Sequence, residues 1–147
     1  MALQNGGAIS LLDIQNEFGG SNPINISEYY RGGTYVPNIS ANSSIPTGGT
    51  ISFNDFYGGT NTSLFISPPS YTGNGFFDTF TITVTSNTSW SVTDNRSWIS
   101  TSVTSGSGNG SFTVSIQKNN SGTTNFGTVV VSGGGIARSC SITQPDS

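Results

Sequence analysis

The chain has no histidine and one cysteine, and charged residues make up only 7% of it. Each shortage excludes a class of chemistry. Without histidine, no Ser-His or Cys-His nucleophile system can be assembled. One cysteine cannot close an internal disulfide, and one Cys without His falls short of a zinc ligand set. Cys140 therefore reads as a small apolar core residue. Asp78 and Asp94-Asn95 stand apart, without the closely spaced acids of a calcium loop. Four Lys and Arg against seven Asp and Glu give a net charge of −3 and no basic patch for nucleic acid. No apolar run approaches the roughly 20 residues of a membrane span. The first residues, Met1-Ala2-Leu3-Gln4-Asn5, have neither the basic nor the apolar region of a secretory signal.

What is present is Ser, Thr, Gly and Asn, which together fill more than half of the chain. Within that background one short unit occurs three times before residue 60. Ile9-Ser10-Leu11-Leu12-Asp13-Ile14, Ile24-Asn25-Ile26-Ser27-Glu28-Tyr29 and Ile51-Ser52-Phe53-Asn54-Asp55-Phe56 share Ile, then Ser or Asn, then an acid three residues on, then a large apolar residue. That order is a helix start. The Ser or Asn caps the first free amides, the acid reaches back to the cap, and the Ile staples onto the apolar residue. Each unit then runs into glycines, at Gly19-Gly20, Gly32-Gly33 and Gly58-Gly59. Three short capped helical turns joined by loops make either a very small core or a set of anchors. A segment this short, without disulfide or metal, is expected to lean on a partner. The caps also account for Asp13, Glu28 and Asp55, which weakens any paired-carboxylate glycosidase reading. The expectation is no enzyme activity, no metal and no cofactor.

Residues 60–63 read as a linker. From Leu64 the apolar residues recur with period two, as in Phe80, Ile82 and Val84 among Thr81, Thr83 and Thr85. Trp90 with Val92, Phe112 with Val114 and Ile116, and Cys140 with Ile142 follow suit, and both Trp90 and Trp98 read as core. Leu64-Phe65-Ile66, Trp98 to Val103 and Val129 to Val131 complete the set. Tyr71 to Gly75, Ser86 to Thr88, Ser105 to Gly110, Asn119 to Thr124 and Ser132 to Gly135 read as turns. The fold class is mainly β. An Ig-like antiparallel β-sandwich of about seven strands fills 64–147, after an irregular segment, 1–59, with three short capped helical turns.

The second half resembles a known family. Val84-Thr85-Ser86-Asn87-Thr88-Ser89-Trp90, Trp98-Ile99-Ser100, Ser105-Gly106-Ser107-Gly108-Asn109-Gly110, Gly127-Thr128-Val129-Val130-Val131-Ser132 and Ile142-Thr143-Gln144 occur in the order of the BACON domain. The resemblance covers about residues 64 to 145 and implies an Ig-like module whose name proposes carbohydrate binding. Phe126 stands where that family usually has Arg. The first half resembles N-terminal segments of tailed-phage virion proteins. Gly7-Ala8-Ile9-Ser10-Leu11, Glu17-Phe18-Gly19-Gly20-Ser21-Asn22-Pro23-Ile24, Ser27-Glu28-Tyr29-Tyr30-Arg31-Gly32-Gly33 and Asp55-Phe56-Tyr57-Gly58 carry it.

Those resemblances imply a structural protein of a phage particle, assembled in the host cytoplasm and resident in the virion. A capsid decoration or cement protein is the leading expectation. A tail, collar or baseplate attachment protein, or a glycan-binding adhesin, is the alternative. Expected partners are other virion proteins and sister copies, with host glycans in the adhesin reading and no nucleic acid or membrane. Ile9, Leu12, Phe18, Tyr29, Tyr30, Tyr35, Phe53 and Tyr57 are the candidates for subunit or particle contact. Tyr71, Phe76, Phe77 and Phe126, in or beside loops, are the candidates for glycan contact.

Overall fold

The structure, a computed structural model, describes residues 2–147 and divides into two units, up to Thr62 and Ser63–Ser147. In the first unit the capped-turn pattern produces one α-helix and short 3-10 turns. Helix α1 (Leu11–Phe18) has two turns, more than the single turn expected. Ser10 Oγ accepts the Asp13 N–H at 3.2 Å, and the Asp13 carboxylate accepts the Ser10 N–H at 2.8 Å, closing the capping box. The helix stops at Gly19, whose φ of +86° suits glycine and whose N–H donates to the Gln15 carbonyl at 2.7 Å.

The other two repeats form 3-10 turns, Ile26–Tyr29 and Phe53–Phe56. Asp55 reaches back to the Ser52 N–H at 2.7 Å. Asn25 caps its own turn by accepting the Ser27 N–H, without a reciprocal bond from Glu28. A further 3-10 turn, Ser40–Asn42, lies in a stretch that read as loop. Its N-cap residue is Ile39, which offers no side-chain acceptor, so no capping signal marks it.

Ile14, Phe18, Tyr29, Val36, Ile45 and Phe56 close a small core. Phe18 meets Phe56 with ring centroids 6.3 Å apart, and Tyr29 meets Phe56 edge-on at 6.5 Å. Asn42 is the polar member, fully buried. Its amide nitrogen donates to the Thr60 and Pro37 carbonyls at 2.8 and 3.0 Å, and its oxygen accepts the Thr60 N–H at 2.8 Å. The side chain thus pairs with Thr60 as a neighbouring strand would. It ties part of the stretch that read as a linker, residues 60–63, into the first unit.

The second unit is a two-layer sandwich. Strands β1 (Leu64–Ser67), β3 (Asp78–Ser86), β7 (Gly110–Ile116) and β5 (Ile99–Thr101) form one sheet in the order β1-β3-β7-β5. Strands β2 (Ser70–Thr72), β9 (Ile136–Gln144), β8 (Asn125–Gly133), β4 (Ser89–Asp94) and β6 (Ser105–Ser107) form the other, in the order β2-β9-β8-β4-β6. Every pairing is antiparallel except β2 with β9, which is parallel. The two-residue connection Gly134-Gly135 has φ of +58° and +80°, as a primed hairpin turn between β8 and β9 requires. Inward positions of the long strands fill the core from Leu64 to Ile142, with Trp90 and Cys140 among them. Outward positions carry Thr79, Thr81, Thr83 and Thr85 on β3 and Ser139, Ser141 and Thr143 on β9.

Two strands lie where turns were expected. Ser70–Thr72 forms β2 at a sheet edge, too short for alternation to show. Ser105–Ser107 forms β6 and has no apolar residue at all. What places it is Trp90. A Cβ on Gly106 would lie 2.3 Å from Trp90 Cζ2, so only glycine lets the strand cross the indole. The Trp90 Nε1–H donates to the Gly108 carbonyl at 2.9 Å, which satisfies the buried ring's polar atom. All four edge strands are short, three or four residues each, while the nine-residue strands lie inside.

Candidate functional site

The residues expected to meet a partner divide by burial. Phe18 and Tyr29 belong to the first unit's own core and present no surface, a correction that follows from the small core closing around them. The Tyr29 hydroxyl is spent inside, donating to the Gly19 carbonyl at 2.9 Å, and burial pushes its pKa up. Ile9 is half-buried against the same core. Tyr57 is half-buried and donates to the Gly7 carbonyl at 2.6 Å. Leu12 and Phe53 are the exposed members of the set, at 58% and 43%. Leu12 is the second residue after the Ser10 cap and Phe53 the first after the Ser52 cap.

Tyr30 and Tyr35 are half-exposed and share the wall of a hollow of about 510 Å³ with Glu28, Ser27 and Pro23. The Tyr30 hydroxyl donates to the Gly49 carbonyl. The Tyr35 ring rests on Tyr29 with centroids 5.4 Å apart. Both walls are therefore held from behind by the first unit's own fold.

In the sandwich, Gln144 organises one end. It is fully buried; its amide nitrogen donates to the Phe76 carbonyl at 2.7 Å and the Gln117 carbonyl at 3.0 Å. Asn119 lies beside it, donating to the Gln144, Pro145 and Thr123 carbonyls. Among the described residues no buried side-chain nitrogen or oxygen lacks a partner. This polar plug holds the β2–β3 loop, so that Phe76 and Phe77 stand 56% and 65% exposed. Phe126, 64% exposed on β8 and adjacent to the Asn125–Gln144 pair, completes an aromatic end. Lys118 Nζ sits 5.3 Å from the Phe76 centroid, covering one ring face.

Tyr71 does not join the other three as a presented ring. It is half-buried and stacks on Phe80 at 3.9 Å and 8°. Its hydroxyl donates to Asp78 Oδ2 at 2.7 Å, and this bond, with burial, pushes the Tyr71 pKa up. The domain uses it internally because the short parallel strand β2 turns it toward the core. Sequence reasoning passed over Phe65, 55% exposed with the Arg138 guanidinium 5.3 Å from its ring. Its outward phase on β1 was the signal available. Cys140 is fully buried, and burial pushes its thiol pKa up. Among the described residues, no three His, Cys, Asp or Glu side chains are grouped to hold a metal ion. No helix among them is long and apolar enough to cross a membrane.

The sandwich is similar to a region of a Bacteroides ovatus GH5 xyloglucanase, solved in complex with an XXXG heptasaccharide. The TM-score is 0.55 at 20% identity, over 58% of this chain and 19% of that one, a likeness of fold. No curated protein matches the chain. Residues 63–146, more than half of the sequence and nearly all of the sandwich, match the protein family described as the viral BACON domain. That match makes this chain a member of the viral BACON domain family.

Proposed function

We propose that the chain is a non-enzymatic structural protein of a tailed-phage virion, in the first instance a capsid decoration or cement protein. Its first unit docks on the particle and its Ig-like domain is displayed. The observation that carries this reading is the viral family match over residues 63–146. The first unit supports it with two exposed apolar anchors, Leu12 and Phe53. Charge supports it too. The first unit holds four acids and one arginine, whereas the sandwich holds three acids and three cations, so the whole net charge of −3 lies on the unit proposed to dock. Its partners in this reading are other virion proteins and sister copies, with modest contacts multiplied by symmetry.

The test is the copy number of the full chain in purified particles, read from a stained gel against the major capsid band. A number commensurate with the capsid lattice is expected. A few copies per particle would move the protein to the tail, collar or baseplate, and absence from purified particles would overturn the virion reading. A Leu12→Asp/Phe53→Asp double variant should lose incorporation at least tenfold while both units stay folded.

A second reading, a glycan-binding adhesin on the virion surface, is favoured by the exposed Phe76, Phe77 and Phe126 at one end of the sandwich. A glycan array with the full chain addresses it. Saturable binding lost in Phe77→Ser and Phe126→Ser would support it, and no binding at high protein concentration would sink it.

A further inference from the structure

Six of the seven acids are engaged within the fold. Asp13 and Asp55 accept the Ser10 and Ser52 N–H groups, and Glu17 accepts the Asn61 N–H at 2.9 Å. Asp78 accepts from Tyr71 and Thr79, Asp94 from the Arg96 N–H, and Asp146 from the Gly122 N–H at 2.9 Å. Glu28 is the exception. It stands at the acid position of the second capping repeat, yet Asn25 caps the turn alone, and among the described residues no donor reaches the Glu28 carboxylate. Glu28 is exposed and lines the hollow of about 510 Å³ that Tyr30 and Tyr35 also line.

We infer that this hollow is a socket for a cationic side chain, specifically the guanidinium of an arginine on the partner protein to which the first unit docks. The inference rests on the docking reading above. A carboxylate beside two tyrosine rings offers a cation both an ion pair and π faces, and a planar guanidinium can use both at once. Hydrogen bonding of the Tyr30 hydroxyl to Gly49 and packing of Tyr35 on Tyr29 hold the walls in place before binding, which lowers the ordering cost. Charge complementarity points the same way. The first unit sets four acids against one cation, Arg31, whose Nε donates to the Ile45 carbonyl at 3.1 Å, so the unit is net negative.

The test is a titration of the full chain with N-acetyl-arginine amide at constant ionic strength, followed by the ring signals of Tyr30 and Tyr35. N-acetyl-citrulline amide, the neutral isostere, is the control. Saturating shifts confined to these rings and their neighbours are expected with arginine, five- to tenfold weaker with citrulline and similarly weakened in Glu28→Gln. Equal response to the two probes, or an unchanged Glu28→Gln, would overturn the socket. Incorporation of Glu28→Gln and Glu28→Lys into particles separates this from the wider proposal. Loss of probe binding with normal incorporation means that docking does not run through Glu28, and overturns the partner assignment. Absence of the unaltered chain from particles overturns the virion reading and leaves the probe result standing on its own.

Discussion

Replacing Asn42 with alanine should unfold the first unit or bring it close to unfolding. The side chain satisfies three backbone groups: the Thr60 N–H at 2.8 Å, the Thr60 carbonyl at 2.8 Å and the Pro37 carbonyl at 3.0 Å. Both Thr60 contacts are buried, and the Pro37 contact is partly so. A buried group left unsatisfied costs about 1–3 kcal/mol, so the two Thr60 groups together cost about 2–6 kcal/mol. The Pro37 carbonyl recovers water and adds under about 1 kcal/mol. At about 0.05–0.15 kcal/mol per residue, a unit of this size holds roughly 3–9 kcal/mol in total. Amide hydrogen exchange reads the effect directly, because the Thr60 N–H is itself one of the donors. The two tryptophans, Trp90 and Trp98, lie in the sandwich and report on it separately in a urea titration. The expected result is loss of protection across residues 2–62 with the tryptophan-detected midpoint unmoved. Asn42→Asp sharpens the test. It keeps an acceptor for the Thr60 N–H and sets an oxygen against two carbonyls. Burial then raises the folded-state pKa of the new acid above its unfolded value. The neutral form is favoured in the fold, so the variant should gain stability as pH falls from 7 to 4, where Asn42→Ala should not. Unchanged protection of the Thr60 amide in Asn42→Ala would refute the reasoning.

Other outcomes are equally open to measurement. Gly106→Ala forces a Cβ into the Trp90 ring and should cost about 1–3 kcal/mol, read as a lower tryptophan-detected urea midpoint. The Cys140 thiol, fully buried with its pKa pushed up, should resist a thiol reagent at pH 8 in the native protein and react on unfolding. Asp13 has its pKa held below the usual 3.8 by the Ser10 hydroxyl first and the Ser10 N–H second. A depressed folded pKa means the contribution is present above the unfolded value and is lost as pH falls through the folded one. The first unit's melting temperature should therefore drop on the acid side below about pH 4, and less so in Asp13→Asn. Tyr71→Phe removes the bond to Asp78 and should cost about 1 kcal/mol in the sandwich's urea stability, with the stacked Phe80 packing retained.

The sequence made the sandwich legible where burial follows a period. Ile82, Val84, Phe112, Val114 and Ile116 alternate, and all point into the core. It was least legible where a strand owes its place to something distant. Residues Ser105–Ser107 are drawn into the sheet by an indole some fifteen residues earlier in the chain, and nothing in Ser-Gly-Ser announces it. In the first unit the caps at Ser10 and Ser52 could be read from local spacing alone. The fate of Tyr29 could not, because it depends on Phe18 and Phe56 arriving from elsewhere in the chain to enclose it. Leu12 shows the opposite limit. An apolar residue in the first turn after a cap reads equally as core or anchor until the helix phase is known, and the phase turns it outward while Ile14 and Phe18 turn in.

The short edge strands matter when copies crowd together. Each edge strand of the sandwich is three or four residues long, and each nine-residue strand has a neighbour on both sides along part of its length. Domains held shoulder to shoulder reach local concentrations at which open edges zip into continuous sheet. Here two neighbours meeting through their edge strands could pair over three or four residues only. Such a domain can be arrayed densely and still remain a set of separate bodies.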